Sequence, residues 1–440
     1  MKKDQQSVRK TNPGARRKFL KNSTTLVAGL PLMSGLFPFS PPTGTLSKRE
    51  EQLRASEVSK SLIGGYGDWA ASLLKKRASL SFRNEKWTDV DIWRKEAVAK
   101  TEELLAAPEL KDIPKVTVEN KYNYDGLDIE ELSWQLPYGR PTRAVVLKPQ
   151  GASKPLPGIL GLHDHGGNKY FGLRKITKTS GDQHPLMIEH QKSDYGGKPW
   201  ANEVAKRGYV VLVHDTYAFA SRRVLYSDVA GIKWGQAKIG DKTDENPEGL
   251  KNIQTYNDWS RAHEDIMAKS LFCAGTTWPG VVLAEDQIAL SILGARSDVE
   301  SKRMGCAGLS GGGLRTVYLG GMDERVKCAI CVGFMSTWED FLRHKSYTHT
   351  WMTFAPLLPK YLDFPEILGL RTPLPTLVQS STEDGLYTLS EMKKADEILK
   401  EVYAKAGAQD KYKTNFYRGG HKFDLEMQAD AFDWFDQWLG

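Results

Sequence analysis

The sequence predicts an α/β protein with a mostly parallel central sheet, helices on both faces of that sheet, a helical N-terminal extension and one long insertion. Three observations predict it. Short apolar runs recur at Gly158–Leu162, Tyr209–His214, Met304–Ala307, Val326–Val332 and Thr376–Gln379, unbroken by polar alternation as strands buried on both faces require. Stretches of helical spacing separate these runs, and strand alternating with helix is the pattern of a layered α/β architecture. The 440 residues, 40% hydrophobic and 26% charged, have an ordinary globular balance with material for a large core.

Taken in chain order, residues 1–45 carry eight Lys and Arg against Asp4, a surplus that accounts for the net charge of +7. The remainder balances to zero, which argues against a nucleic-acid partner, since that needs basic residues clustered on one face. The basic stretch ends in Arg16-Arg17-Lys18-Phe19-Leu20-Lys21, an apolar run follows from Thr24 to Phe37, and Pro38, Pro41 and Pro42 stop any helix. This leader resembles a twin-arginine (Tat) export signal. The resemblance implies the Tat machinery as a partner and a periplasmic or extracellular destination. The apolar run is too short and too rich in Gly, Ser and Thr for a stable membrane span.

Residues 46–120 read as the helical extension, with Trp69, Leu73, Leu74 and then Trp93, Val98, Leu104 and Leu105 at turn-like spacing. The α/β body is expected over 121–440. Its first strands are Ile129–Leu136 and Arg143–Leu147, split by the Pro-Tyr-Gly-Arg-Pro turn at 137–141. The interval 218–280 breaks the rhythm and is expected to form a cap over the C-terminal edge of the sheet. Cys306, Cys328 and Cys331 fall in expected core strands, while Cys273 lies apart. Three residues of separation put Cys328 and Cys331 on opposite faces of a strand, which suits neither a disulfide nor zinc.

Gly308-Leu309-Ser310-Gly311-Gly312 fits G-x-S-x-G where a strand-like run gives way to a helix-like one. A serine on so sharp a turn is a nucleophile candidate, and the flanking glycines remove Cβ atoms that would collide. The run ending at Leu162 passes into His163-Asp164-His165-Gly166-Gly167, a turn that can aim a backbone amide inward. The amides of His165 and Gly311 are therefore the candidate oxyanion donors. Serine chemistry also needs a base and a carboxylate to orient it. His421, after Thr414–Tyr417 and Arg418-Gly-Gly, precedes Phe423, Met427, Ala431, Phe435 and Leu439, spaced four apart as on one helix face. Asp384 lies just beyond Thr376–Gln379, with Glu383 as its competitor. The turn favoured by Gly385 selects Asp384. A metal reading of His163, Asp164 and His165 with His184, His190 or Asp215 is the weaker alternative, because the two glycines that follow suit close backbone approach better than ligation.

With these segments assembled, residues from about 120 to 440 resemble the dienelactone hydrolase and acetyl xylan esterase-like branch of the α/β-hydrolases. The resemblance rests on His163-Asp-His-Gly-Gly, Asp215 with Arg222 and Arg223, Asp286, the Gly-rich elbow at 308–313, Asp363-Phe-Pro and Gly-Gly-His at 419–421. It implies a serine carboxylesterase with a Ser310–His421–Asp384 triad, no metal or other cofactor, and a small or carbohydrate-linked ester or lactone as substrate. It also suggests His163, Asp164, Asp215 and Arg222 as pocket residues. Dienelactone hydrolases proper carry cysteine where this chain has Ser310, so that substrate is not implied. Two further classes stay open. A prolyl-oligopeptidase-like peptidase shares the triad order but usually adds a propeller, and 12 Trp residues would also suit a non-catalytic carbohydrate-binding protein.

Overall fold

The computed structural model describes residues 61–246 and 248–440. The leader and its paired arginines lie outside the described residues.

Among the described residues nine strands make one sheet: β1 (Thr117–Tyr124), β2 (Leu127–Trp134), β3 (Thr142–Pro149), β4 (Leu156–Gly161), β5 (Val210–His214), β6 (Val299–Leu309), β7 (Val326–Val332), β8 (Thr376–Ser381) and β9 (Tyr412–Tyr417). Their order is β1-β2-β3-β5-β4-β6-β7-β8-β9. The pairings β1–β2, β2–β3 and β3–β5 are antiparallel, and all pairings from β5 through β9 are parallel. The chain leaves β4 toward β5 on one side and later places β6 on the other. Such a reversal opens a crevice at the carboxyl end of the strands.

Among the described residues the α-helices of six or more residues are α1 (Gly67–Ser72), α2 (Val90–Leu105), α3 (Pro185–Asp194), α4 (Trp200–Lys206), α5 (Leu250–Cys273), α6 (Trp278–Gly294), α7 (Gly311–Met322), α8 (Phe364–Gly369), α9 (Leu389–Lys405) and α10 (Leu425–Leu439). Local chemistry sets several ends. Asp89 accepts from the amides of Asp91 and Ile92 to start α2, and Thr277 accepts from Gly280 N with Pro279 in the first turn of α6. Among the described residues no single helix is long and apolar enough to cross a membrane.

Strand side chains alternate between two cores. Val146, Leu160, Cys306 and Cys331 pack with Trp93, Trp278, Leu319 and Leu399 on one face. Val145, Ile159, Ala307 and Ile330 pack with Trp200, Phe435 and Leu439 on the other. Burial on both faces is why these strands read as unbroken apolar runs. Cys328 and Cys331 fall in different cores, and all four cysteines are free thiols.

Two expectations need correction. Residues 117–120 are not part of a helical extension but open β1, an edge strand whose first five residues are exposed. Its polar face is solvated, so it gives no apolar signal. In the extension itself Trp69 on α1 is 63% exposed and Leu73 just after it 60%, whereas α2 buries Trp93, Ala97 and Leu105 completely. Residues 218–280 hold 3-10 turns and the long helix α5, and α6 already begins at Trp278.

A charged network ties the end of β5 to α6 and α7. Arg315 on α7 grips Asp286 on α6 with Nε–Oδ2 at 3.0 Å and Nη2–Oδ1 at 2.6 Å, while His214 at the end of β5 meets Oδ1 at 2.9 Å. All three side chains are at most 1% exposed. Removing one member of a buried ion pair strands the other charge. Asp286→Ala is therefore expected to lower unfolding free energy by about 3–5 kcal/mol, read from the urea midpoint at unchanged slope.

Candidate active site

Ser310 joins β6 to α7 with φ 57° and ψ −118°, a region that costs a non-glycine residue strain and is retained at functional turns. Its amide donates to Val332 O at 2.9 Å. A Cβ on Gly308 would come within 2.6 Å of the Gly312 backbone and collide with Leu162 O, and one on Gly312 would strike the same carbonyl. Only glycine fits at either position. A Cβ on Gly311 would sit 2.6 Å from His165 N, so the loop after β4 lies directly against the first turn of α7. Gly311 is the first residue of that helix, and its N–H has no intrahelical acceptor. Among the described residues His165 N donates to no backbone or side-chain acceptor.

The loops after β8 and β9 are laced together by Thr382 N to Tyr417 O at 2.8 Å and Glu383 N to Gly419 O at 3.0 Å. This lacing sets Asp384 beside His421, and Nδ1 of the imidazole lies 2.6 Å from Asp384 Oδ2. Asp384 Oδ1 accepts from Leu386 N at 2.9 Å. The aspartate side chain is 1% exposed and the histidine 24%. Glu383 is 60% exposed and 3.6 Å from Arg418, away from the imidazole. A Cβ on Gly333 would approach the His421 ring to 3.1 Å, so His421 flanks Gly333 just as the Ser310 amide engages Val332. The Nε2 atom of His421 is buried and has no hydrogen-bond partner among the described residues. The Ser310 hydroxyl is thus not bonded to it here, and catalytic contacts of this type commonly tighten only when substrate is bound.

The four expected pocket residues are buried and hydrogen-bonded within the protein. His163, Asp164, Asp215 and Arg222 are all at most 6% exposed. His163 Nδ1 contacts Asp164 O at 3.0 Å. Asp215 accepts from Leu173 N at 2.8 Å and Ser221 N at 3.1 Å. Arg222 donates to the carbonyls of Tyr138 and Arg140 and pairs with Glu285 at 2.6 Å. Asp164 Oδ1 accepts from Tyr195 Oη at 2.5 Å and meets His190 Nε2 at 3.1 Å. The polar ends of buried strands look like ligand groups in a sequence, yet here they satisfy loop amides and one another. Nor do His163, Asp164 and His165 form a ligand set, because the His165 ring turns to Glu264 at 2.8 Å.

Among the described residues, Asp164, His190 and Asp194 are the group whose ligand-type atoms lie within 4.8 Å of one another. Both His190 nitrogens face carboxylates at 3.1 Å. Burial opposes its proton, but Asp164 and Asp194 outweigh that and hold its pKa above the usual histidine value. This is the setting of an imidazolium bridge more than of a neutral metal ligand.

Sequence reasoning missed the groups that hold the loop after β4. Glu264, in the middle of α5, accepts from Lys169 Nζ, contacts His165 Nε2 and accepts from Thr350 Oγ1 at 2.9 Å. Burial raises its pKa, but Lys169 and His165 more than reverse this and hold the carboxyl far below its ordinary range. Lys175, wholly buried, donates to Asp164 O and His165 O, both at 2.8 Å. No spacing marks these residues, because each contact spans a loop or the insertion.

His349 packs against Tyr387 with ring centroids 4.9 Å apart and contacts Leu386 O at 3.1 Å. Burial lowers its pKa to about 4, and that of His263 on α5 likewise to about 4. Folded-state values below the unfolded one mean that the unfolded chain binds these protons first. Stability supplied by the neutral forms is full above about pH 6.5 and falls as the pH drops toward 4. His190 opposes this, since its raised value favours the fold in acid. The urea midpoint is expected to fall from pH 7 to pH 4.5, and less so in His349→Phe.

No family model matches the chain. It is 25% identical over 300 residues, 67% of its own length and 83% of the relative's, to the candidate hydrolase YtaP of Bacillus subtilis (strain 168). A candidate acetyl xylan esterase from Bacteroides fragilis NCTC 9343 superposes with a TM-score of 0.60 at 18% identity, over 81% of this chain and 83% of that one. This is the α/β-hydrolase fold. A glucuronoyl esterase from Solibacter usitatus shares that fold with a TM-score of 0.55 at 13% identity, over 80% of this chain and 95% of that one. In an α/β-hydrolase a G-x-S-x-G serine stands at the strand-to-helix elbow, with aspartate and then histidine later in the chain. Ser310, Asp384 and His421 follow that order.

Proposed function

We propose that this chain is a serine carboxylesterase, exported through the Tat machinery, that acts on a small or carbohydrate-linked ester without a cofactor. The observation that carries the proposal is the Asp384–His421 hydrogen bond of 2.6 Å, made next to the loop that anchors the strained Ser310 elbow. In this reading Ser310 Oγ attacks the ester carbonyl while His421 Nε2 takes its proton. The new oxyanion is held by the amides of His165 and Gly311, and Asp384 fixes the tautomer and stabilises the imidazolium. Collapse breaks the bond to the alcohol oxygen, which leaves with the proton from His421. A water then repeats the sequence on the acyl-enzyme, releasing the carboxylic acid and restoring Ser310.

The similarity to YtaP and the fold shared with esterases support the hydrolase class. A fluorophosphonate probe tests it, with a single adduct expected on Ser310 by peptide mapping. No adduct, or an adduct elsewhere, ends the proposal. A panel of acetylated xylan oligomers, glucuronate esters, aryl acetates and lactones then assigns the substrate. A fusion of residues 1–45 to a reporter, exported only when Arg16 and Arg17 are intact, tests the leader.

A further inference from the structure

We propose that Lys175 is a positioning residue for the oxyanion hole, acting through the peptide unit that joins Asp164 to His165. The inference deepens the esterase reading and rests on it.

The contacts define the arrangement. Lys175 closes a short 3-10 turn, Leu173–Lys175, and is completely buried. Its ammonium donates to Asp164 O and His165 O at 2.8 Å each and lies 3.6 Å from Asp164 Oδ2. Two carbonyls and a carboxylate thus surround the three donors of the group. Its charge also lies 5.0 Å from the centre of the Phe219 ring.

Asp164 O and His165 N belong to the same planar peptide. In the trans form the carbonyl and the N–H point in opposite directions. A cation bonded to the carbonyl end draws electron density along the amide and makes the N–H at the other end a stronger donor, because linked hydrogen bonds polarise one another. That N–H is the one set against the first turn of α7, and it has no acceptor of its own among the described residues. The second bond, to His165 O, holds the next peptide plane as well. Both peptides around His165 are therefore fixed before any charge develops, which is the condition under which such donors lower a barrier. The His165 ring is held separately by Glu264, so the side chain and the backbone of this residue have independent anchors.

The test uses the mature protein and an aryl acetate. Lys175→Met keeps the unbranched apolar stem as far as Cε and removes the ammonium group with its charge. The expected result is a fall in kcat of roughly 10- to 100-fold, less than the loss of a whole donor, with KM changed by less than about threefold because the ground-state carbonyl makes little use of the hole. Affinity for phenylboronate, whose serine adduct places an oxygen in the hole, should fall by a similar factor. Asp164→Asn/Lys175→Met removes the Asp164 and Lys175 charges together, leaves His190 paired with Asp194, and also serves if the single variant does not fold. A positioning role predicts that this double variant regains most of the wild-type thermal midpoint while kcat stays low. Recovery of kcat along with the midpoint would assign Lys175 to stability alone and overturn the inference, as would wild-type kcat and boronate affinity in Lys175→Met. Ser310-dependent turnover in the wild type, measured alongside, separates that failure from failure of the esterase reading; its absence overturns both.

Discussion

Ser310→Ala is expected to lower kcat/KM on an aryl acetate by at least roughly 10⁴-fold, with the thermal midpoint nearly unchanged. The two halves of that expectation come from different parts of the structure. Alanine keeps the backbone at φ 57° and retains the amide bond to Val332 O, so the elbow loses no fold-determining contact. Chemistry loses its nucleophile, and a covalent route cannot be replaced by the groups left behind. The backbone amides of His165 and Gly311 remain, however, and can still bind a developing oxyanion during unassisted attack by water. Turnover should thus fall far but not to the uncatalysed rate, and His421→Ala added to Ser310→Ala should cost little more. Undiminished hydrolysis in Ser310→Ala would mean that the elbow is a turn and not a catalyst.

The elbow was readable because its demands are local. A strand, two glycines that no other residue can replace and a helix start all fall within a dozen positions, and each leaves a mark in composition. The five central parallel strands were readable for a related reason, since burial on both faces strips them of polar residues. The same logic fails for β1. Thr117 to Lys121 lie on a solvated edge, where pairing with β2 supplies the backbone bonds and leaves side chains free to be polar. It does not reveal the partners of Arg222 and Asp215, which pair with Glu285 and accept from the loop amides of Leu173 and Ser221. Glu264 was invisible altogether. It reaches the loop after β4 from 99 residues away in sequence, through an insertion whose mixed composition shows no period for its first thirty residues.

Asp384→Asn should reduce kcat by roughly 10⁴-fold, while Glu383→Gln should leave it within about twofold. The two residues are neighbours of like charge, so any effect of net charge on the site would touch both. What separates them is a turn. Ser381 O accepts from Asp384 N at 3.3 Å, directing the Asp384 side chain inward, where Oδ2 meets His421 Nδ1 and Oδ1 is held by Leu386 N. Glu383 points out to Arg418. Asparagine at 384 can offer its amide N–H to Nδ1, which selects the wrong tautomer and puts the proton on Nε2, where the base must be free. The acceptor at Leu386 N can still be supplied by the amide oxygen only if the group is turned so that its NH₂ faces the ring, and that is the harmful orientation. Fold and loop are thereby preserved while the base is disabled, so the loss should appear in kcat with fluorophosphonate labelling slowed in proportion. Equal losses in both variants would show that long-range charge, and not the Nδ1 contact, sets the reactivity of His421.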